Sequence, residues 1–198
     1  MNSTGISQPS NFDNSVAVMT PNFLTALNFA AYKHRNQRRK GADKTPYINH
    51  PIAVANILLN EAGITDEVVL IAAILHDTVE DTETSFEEIE QQFGNQVSSV
   101  VAEVTDDKAL PKAERKQAQI EHAAKLSDRA CWLKFADKTA NVRDIHMAPP
   151  DGWDDRRINE YLEWGKRVVD NLRGRHERLE TLFNQAYQQA KSTRRQLK

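Results

Sequence analysis

The chain has 198 residues, of which 39% are hydrophobic and 27% are charged, a composition typical of one globular domain large enough to bury a core. Its 26 lysines and arginines nearly balance 28 aspartates and glutamates, so the net charge of −2 indicates neither a nucleic-acid partner nor a membrane surface. A single cysteine excludes an intramolecular disulfide, and no apolar run approaches the roughly 20 residues that span a bilayer. These features favour a cytoplasmic protein.

The first segment of the chain, residues 1–20, is rich in serine and asparagine. It lacks the basic start and the apolar stretch of a signal peptide, and we expect it to form a disordered tail. The remaining residues, 21–198, are expected to form one domain.

Helical periodicity continues through nearly all of that domain. Pro21 suits the first position of a helix, because its missing N–H would have no partner there. After Thr65 as a predicted N-cap, the segment from 66 to about 78 is apolar almost all round, which indicates a central, buried helix. Thr84 and Ser85 with Glu87 and Glu88 resemble a capping box at the start of another. Further helices are predicted to begin near residues 51, 95, 112, 127, 153 and 175. With no recognisable strand, the sequence predicts an all-α bundle of roughly eight to ten helices.

A histidine and an aspartate end the most apolar of these helices, His76-Asp77. Burying both is costly unless something compensates them, and a mutually satisfied pair at a helix end explains the doublet taken alone. His50 at a helix start and Asp137 in an amphipathic helix add a second imidazole and a second carboxylate. Two histidines and two aspartates can hold one divalent cation and leave positions open for water, as in catalytic metal sites. The donor types fit Mn²⁺, Fe²⁺, Mg²⁺ or Zn²⁺.

Two more carboxylates, Glu80 and Asp81, follow one helical turn later. They share a face with the doublet if the helix continues or ends gently, and from there they can orient a water molecule and accept its proton. Taken alone, they fit a solvated acidic loop better.

Three basic segments complete the pattern: residues 38–40, residues 105–116, and Asn141 with Arg143 after Asp137. Taken alone, each segment is explained as charged protein surface, but together the three can surround a polyanion. A metal, paired carboxylates and several cations around one cavity favour phosphoester or pyrophosphate hydrolysis.

The order His50, His76-Asp77, Asp137 resembles the H…HD…D signature of the HD phosphohydrolase superfamily. The segments 38–40, 45–51, 76–81 and 136–141 resemble the hydrolase domain of RelA/SpoT homologues, the enzymes of (p)ppGpp turnover. The similarity spans roughly residues 22–180, and the chain is too short for the synthetase and regulatory modules of the long members. It therefore resembles a stand-alone small alarmone hydrolase.

This resemblance implies an HD-domain bundle that removes the 3′-pyrophosphate of (p)ppGpp, with Mn²⁺ as the usual cofactor. It implies metal ligands at His50, His76, Asp77 and Asp137 and a catalytic pair at Glu80 and Asp81. It also implies substrate contacts at Arg39, Lys40, Tyr47, Lys112, Asn141, Arg157 and Tyr161. His34 matches a family histidine outside the metal set, for which we expect a supporting role.

Two other functions stay open at this point. The first is removal of the 2′-phosphate of NADPH, because the ligand set addresses a phosphoryl group and not a base. The second is a non-catalytic nucleotide sensor, against which Glu80 and Asp81 argue. In each case the expected partner is a small nucleotide, with no nucleic acid or membrane, and the protein is expected to be a monomer or a small homo-oligomer.

Overall fold

Helices account for almost all regular structure in the computed structural model, which describes the backbone of residues 21–196 and the side chains of residues 22–192. The helices are α1 (Pro21–Lys33), α2 (Asn49–Asn56), α3 (Glu67–Leu75), α4 (Thr78–Asp81), α5 (Phe86–Phe93), α6 (Asn95–Val104), α7 (Lys112–Ala123), α8 (Asp128–Met147), α9 (Asp155–Asp170) and α10 (Glu177–Gln196). A π-helical turn, Ile57–Glu61, extends α2. Extended pairing within 21–196 is limited to two isolated bridges. The all-α prediction is confirmed, whereas the predicted tail at 1–20 lies outside the described residues and the single-domain boundary stays a prediction.

The central helix α3 differs from its prediction at both ends. Its N-cap is Asp66 and not Thr65, because the Asp66 carboxylate accepts hydrogen bonds from the backbone N–H groups of Val68 and Val69 at 2.9 and 3.3 Å. The helix stops at Leu75, before the predicted end at residue 78. The chain then turns and begins the short helix α4, so the two polar residues between the helices lie at a bend.

Two helices form the centre of the bundle. All seven residues of 69–75 in α3 are buried, and α3 packs against α1, α2, α6 and α8. The longer α8 packs in addition against α9 and α10. Both α2 and α3 pack against α8, and side-chain atoms of His50, His76 and Asp137 lie within 4.8 Å of one another, so the start of α2 and the end of α3 lie near the middle of α8. No helix in the described part of the chain combines the length and apolarity needed to cross a bilayer.

A long irregular loop between α1 and α2 lies against the loop between α8 and α9. A bridge joins Gly41 to Pro150 across the two loops. A Cβ atom at Gly41 would lie 3.0 Å from the carbonyl oxygen of Ala148, so glycine allows this close approach of backbones. The paired loops form one wall of the cavity described below.

Candidate active site

Three regions of the bundle bring four polar side chains to one point. His50 lies in the first turn of α2, His76 and Asp77 lie at the bend after α3, and Asp137 lies in the middle of α8. One ligand atom each from His50, His76 and Asp137 lies within 4.8 Å of the others. His50 Nε2 is 3.3 Å from Asp137 Oδ1, while Asp77 Oδ2 is 3.2 Å from His76 Nε2 and 3.7 Å from His50 Nε2. We call these four residues the metal cluster.

Three of the four residues of the metal cluster are buried, and their charges affect one another's pKa. His50, His76 and Asp137 are 3%, 6% and 8% exposed. Burial lowers the pKa of His76, but the neighbouring carboxylates outweigh it and raise that pKa to about 9. Burial raises the pKa of Asp77 and of Asp137, yet the nearby cationic groups hold both below the ordinary value. Carboxylates that stabilise a buried proton this strongly also attract a metal cation.

The donor atoms of the metal cluster fit a divalent cation. His76 Nδ1 lies 2.8 Å from the carbonyl oxygen of Ala73, an arrangement that fixes the ring and turns Nε2 toward the carboxylates. His76 Nε2 is buried and has no hydrogen-bond partner. A buried imidazole nitrogen facing carboxylate oxygens is a ligand arrangement for Mn²⁺, Fe²⁺ or Zn²⁺.

The two predicted catalytic carboxylates face different neighbours. Glu80 Oε2 accepts a hydrogen bond from the backbone N–H of Asp106 at 3.3 Å, and Glu80 Oε1 lies 4.0 Å from Arg115 Nη1. Burial, and then the charges of Asp106 and Asp77, raise the pKa of Glu80. A carboxyl group in this setting is a better proton acceptor near neutral pH than an exposed glutamate.

Asp81 is held on both of its oxygens. Gln37 Nε2 donates to Asp81 Oδ2 at 2.9 Å, and Lys108 Nζ donates to Asp81 Oδ1 at 2.7 Å. The sequence predicted that Glu80 and Asp81 share one helix face with the doublet if the helix continued. The helix does not continue, and Asp81 lines the substrate cavity whereas Glu80 lies against the loop between α6 and α7.

A cavity of about 630 Å³, large enough for a nucleotide, lies beside the metal cluster, and His50 is the one of the four residues that lines it. The residues predicted for the site that line it are Arg39, Lys40, Tyr47, His50, Asp81, Asn141 and Tyr161. Arg39 forms an ion pair with Asp144 and donates to Asn141 Oδ1 at 3.3 Å. Asn141 Nδ2 in turn donates to Asp137 Oδ1 at 2.6 Å, so one chain of contacts joins the cavity wall to the metal cluster.

Five of the seven predicted substrate residues line the cavity, and two do not. Lys112 and Arg157 are exposed and lie outside the cavity lining, although the Arg157 guanidinium lies 4.5 Å from the ring centre of Trp153, which does line it. We call Arg39, Lys40, Lys112 and Arg157 the cationic rim. The hydroxyl of Tyr47 donates to Asp77 Oδ2 at 2.6 Å, so it faces the metal cluster.

Arg143, grouped with the basic segments in the sequence, points elsewhere. It forms two hydrogen bonds with Glu61, at 2.7 and 2.8 Å, and it does not line the cavity. Its charge is therefore paired away from the site.

Asp144 and Lys138 are among the site residues that the sequence analysis missed. Asp144 follows Asp137 and Asn141 at the helical spacing i, i+4, i+7, a pattern that would have placed it on the same face. Lys138 is 5% exposed, and its Nζ lies 3.2 Å from Asp137 Oδ2. Nothing in the sequence distinguishes this lysine from a surface one, because its burial depends on Trp164, whose ring centre lies 4.5 Å away.

An all-α bundle with an H…HD…D cluster at its centre defines the HD class of proteins. Residues 26–161 match the HD domain family, and the chain belongs to that family. It is 57% identical over 157 residues to the guanosine-3′,5′-bis(diphosphate) 3′-pyrophosphohydrolase MESH1 of Xenopus tropicalis, which covers 79% of this chain and 88% of the relative. The protein of the same name from Homo sapiens is 54% identical over 166 residues, 84% of this chain and 93% of the relative.

A solved structure is also similar to this chain. It is described as a metazoan ortholog of SpoT that hydrolyses ppGpp and plays a role in starvation responses. The two chains are 52% identical and superpose with a TM-score of 0.84, over 86% of this chain and 96% of the other. The resemblance read from the sequence motifs is confirmed.

Proposed function

We propose that this protein is a (p)ppGpp hydrolase, which converts guanosine tetraphosphate or pentaphosphate to GDP or GTP and pyrophosphate. The observation that carries the proposal is the metal cluster beside a nucleotide-sized cavity that His50 lines, in a chain 54–57% identical to relatives named for this reaction. Ionisable and cationic groups converge on that cavity, as phosphoryl chemistry requires.

Mn²⁺ is the cation we propose for the metal cluster, because it is the usual cofactor of the enzymes that the chain resembles, and mixed imidazole and carboxylate donors are compatible with it. A divalent cation held there supplies Lewis-acid catalysis and favours deprotonation of water. His50, His76, Asp77 and Asp137 would hold it. Metal analysis of the purified protein, and reconstitution with Mn²⁺, Mg²⁺, Fe²⁺ or Zn²⁺ in turn, tests this choice.

The reaction transfers a pyrophosphoryl group from the ribose 3′-oxygen to water. Water attacks the phosphorus bound to the ribose 3′-oxygen, its proton passes to Glu80, and the bond from phosphorus to the 3′-oxygen breaks. The 3′-oxygen takes up a proton, and pyrophosphate leaves. The raised pKa of Glu80 suits it to accept the proton, and Asp81, held by Gln37 and Lys108, orients the water.

The cavity residues bind the nucleotide. Arg39 and Lys40 neutralise phosphate charge, and Asn141 positions the substrate beside the metal cluster, to which it is hydrogen-bonded through Asp137. Tyr161 offers an aromatic face to the base or ribose, while Lys112 and Arg157 act from the edge of the cavity. We propose that the protein works in the cytoplasm on the free nucleotide, as a monomer or a small homo-oligomer.

Product analysis tests the proposal most directly. The purified protein is incubated separately with ppGpp and with NADPH, each with Mn²⁺ and with chelator, and the products are resolved by ion-exchange chromatography. GDP and pyrophosphate appearing with metal and vanishing with chelator is the expected result. Faster release of orthophosphate from NADPH, measured as kcat/KM, would make the 2′-phosphatase the main activity. Bound metal with no turnover of either nucleotide would favour the sensor.

A further inference from the structure

A chain of hydrogen bonds leads from a buried histidine to the water-orienting carboxylate Asp81. His34, just after α1, is 2% exposed, and its Nδ1 lies 2.6 Å from Gln37 Oε1. The other end of the same amide, Gln37 Nε2, lies 2.9 Å from Asp81 Oδ2. One glutamine side chain therefore links the two ionisable groups.

The chemistry of the three groups sets the direction of every hydrogen bond in this chain. The Asp81 carboxylate can only accept, so the Gln37 amide must present its NH₂ to Asp81 and its oxygen to His34. The amide oxygen can only accept, so His34 must carry its proton on Nδ1. His34 Nε2 is buried without a partner, and burial lowers the pKa of this histidine, both of which agree with a neutral ring protonated on Nδ1.

The backbone of Gln37 is fixed on both sides. Its N–H donates to the carbonyl oxygen of His34 at 2.9 Å, and its own carbonyl accepts from the N–H of Tyr47 at 3.1 Å. The ring of Tyr47 also packs against the ring of His34, with 4.8 Å between the ring centres. The amide of Gln37 is therefore held at both ends of its side chain, whereas Lys108, the other partner of Asp81, is half-exposed and restrains the carboxylate less.

We propose that Gln37, oriented by His34, is a positioning residue that fixes the Asp81 carboxylate for catalysis. The role rests on the proposed function, because it acts through the water that Asp81 orients. Gln37 also lines the cavity, so direct contact with the nucleotide is the rival explanation. The two explanations predict different kinetics, because a positioning residue affects kcat and a residue that only binds substrate affects KM.

Two substitutions of Gln37 test its two hydrogen bonds, the one with His34 and the one with Asp81. Gln37→Met keeps the length of the side chain and removes both the donor and the acceptor without adding charge. Gln37→Glu keeps an acceptor for His34 and places a second carboxylate against Asp81. The matched controls are Gln117→Met and Gln117→Glu, because Gln117 on α7 also donates to a carboxylate, that of Glu121 at 2.8 Å, but in solvent.

For Gln37→Met we expect kcat for ppGpp to fall about 10- to 100-fold, with KM and the Kd for Mn²⁺ unchanged. Gln37→Glu is expected to lower kcat further, because the carboxylate of Asp81 is then repelled from its position. Both Gln117 variants should retain wild-type kcat. A wild-type kcat in Gln37→Met, a rise in KM alone, or a parallel loss of Tm and metal affinity would each overturn the proposal.

A spectroscopic measurement tests the series of hydrogen bonds from His34 to Asp81 independently of activity. In protein labelled with ¹⁵N-histidine, the His34 signals are assigned by their absence in His34→Gln. We expect wild-type His34 to be protonated on Nδ1, and Gln37→Met to shift this preference toward Nε2. Protonation of wild-type His34 on Nε2 would overturn the proposal even if a variant failed to fold. Wild-type protein inert toward ppGpp would instead contradict the proposed function, and the tautomer would still show whether Gln37 links His34 to Asp81.

Discussion

The metal cluster and the cationic rim are built in opposite ways. The metal cluster comes from helices and the bend after α3, and His50, His76 and Asp137 in it are buried. The cationic rim comes from a loop and from the first turns of α7 and α9, and Lys40, Lys112 and Arg157 are exposed. Arg39 is the exception, because it is half-buried and paired with Asp144.

This contrast separates the two tasks of the site. The packing of the helices holds the geometry of the buried cluster residues, so in their proposed role as metal ligands we expect each to be essential. Exposed cations bind a polyanion through screened, additive attractions, so each contributes little and the sum depends on salt. Substitutions in the metal cluster should therefore abolish the reaction, and those in the cationic rim should reduce its rate only in part.

The largest effect is expected in the metal cluster. His76→Ala removes the nitrogen that faces Asp77, so bound metal and turnover should be lost together, with kcat lower by more than about 1000-fold. Elemental analysis of the purified variant and kcat for ppGpp check this outcome. His122→Ala, at an exposed histidine of α7, is the control. A His76→Ala protein that kept stoichiometric metal would show that the other donors suffice.

Glu80 should give the next largest effect. Glu80→Gln removes the proton acceptor and should lower kcat about 100- to 10,000-fold while the metal content stays that of the wild type. A near-normal kcat would contradict the role of this carboxylate.

The pH dependence sharpens the test of Glu80. The base must be ionised, so wild-type kcat should fall as pH drops through the pKa of Glu80, which burial and then Asp106 hold above that of an ordinary glutamate. Asp106→Asn removes a neighbouring negative charge, so it should move this acidic limb to lower pH. An unchanged limb in Asp106→Asn, measured as kcat against pH, would assign the limb to another group.

The cationic rim should show smaller and graded losses. Arg39→Met removes the guanidinium beside Asn141, and we expect kcat/KM for ppGpp to fall about 10- to 100-fold, mostly through KM. Arg157→Met should cost less, because Arg157 lies outside the cavity lining. Both losses should become smaller as salt is added, because salt screens the attraction between these arginines and the phosphates in the wild-type protein as well. Arg156→Met, next in the chain and exposed, is the control. Equal losses for Arg39→Met and Arg156→Met would contradict the assignment of Arg39 to the cavity.

The sequence predicted the metal cluster better than the surroundings of the site. His76-Asp77 at the end of an apolar helix was conspicuous, because uncompensated burial of such residues is costly. His50 at a helix start and Asp137 in an amphipathic helix were then added as matching donors, and the family motifs gave the same four residues. The structure brings these residues together. Sequence periodicity could not predict this, because it indicates where helices form but not how they pack against one another.

The surroundings depend on contacts that sequence spacing does not encode. Gln37 meets Asp81 from 44 residues away, and Arg39 meets Asn141 from 102 residues away. The bend at His76 and Asp77, between α3 and α4, was missed because a helical pattern continued across it. Local patterns therefore indicated which residues are unusual, and tertiary packing decided what each one touches.

The smallest effect is expected at Arg143, which tests the boundary of the site. Its side chain is 36% exposed and pairs with Glu61, which is 28% exposed, so the ion pair is partly screened by water. Arg143→Met should lower the free energy of unfolding by at most about 1 kcal/mol, measured by denaturant titration, and leave kcat/KM for ppGpp unchanged. Glu61→Gln should cost a similar amount, and the double variant should cost less than the two single changes added together, because both remove the same ion pair. A loss of kcat/KM in Arg143→Met but not in Glu61→Gln would place this arginine among the residues that bind the nucleotide, and the cationic rim would then extend along α8.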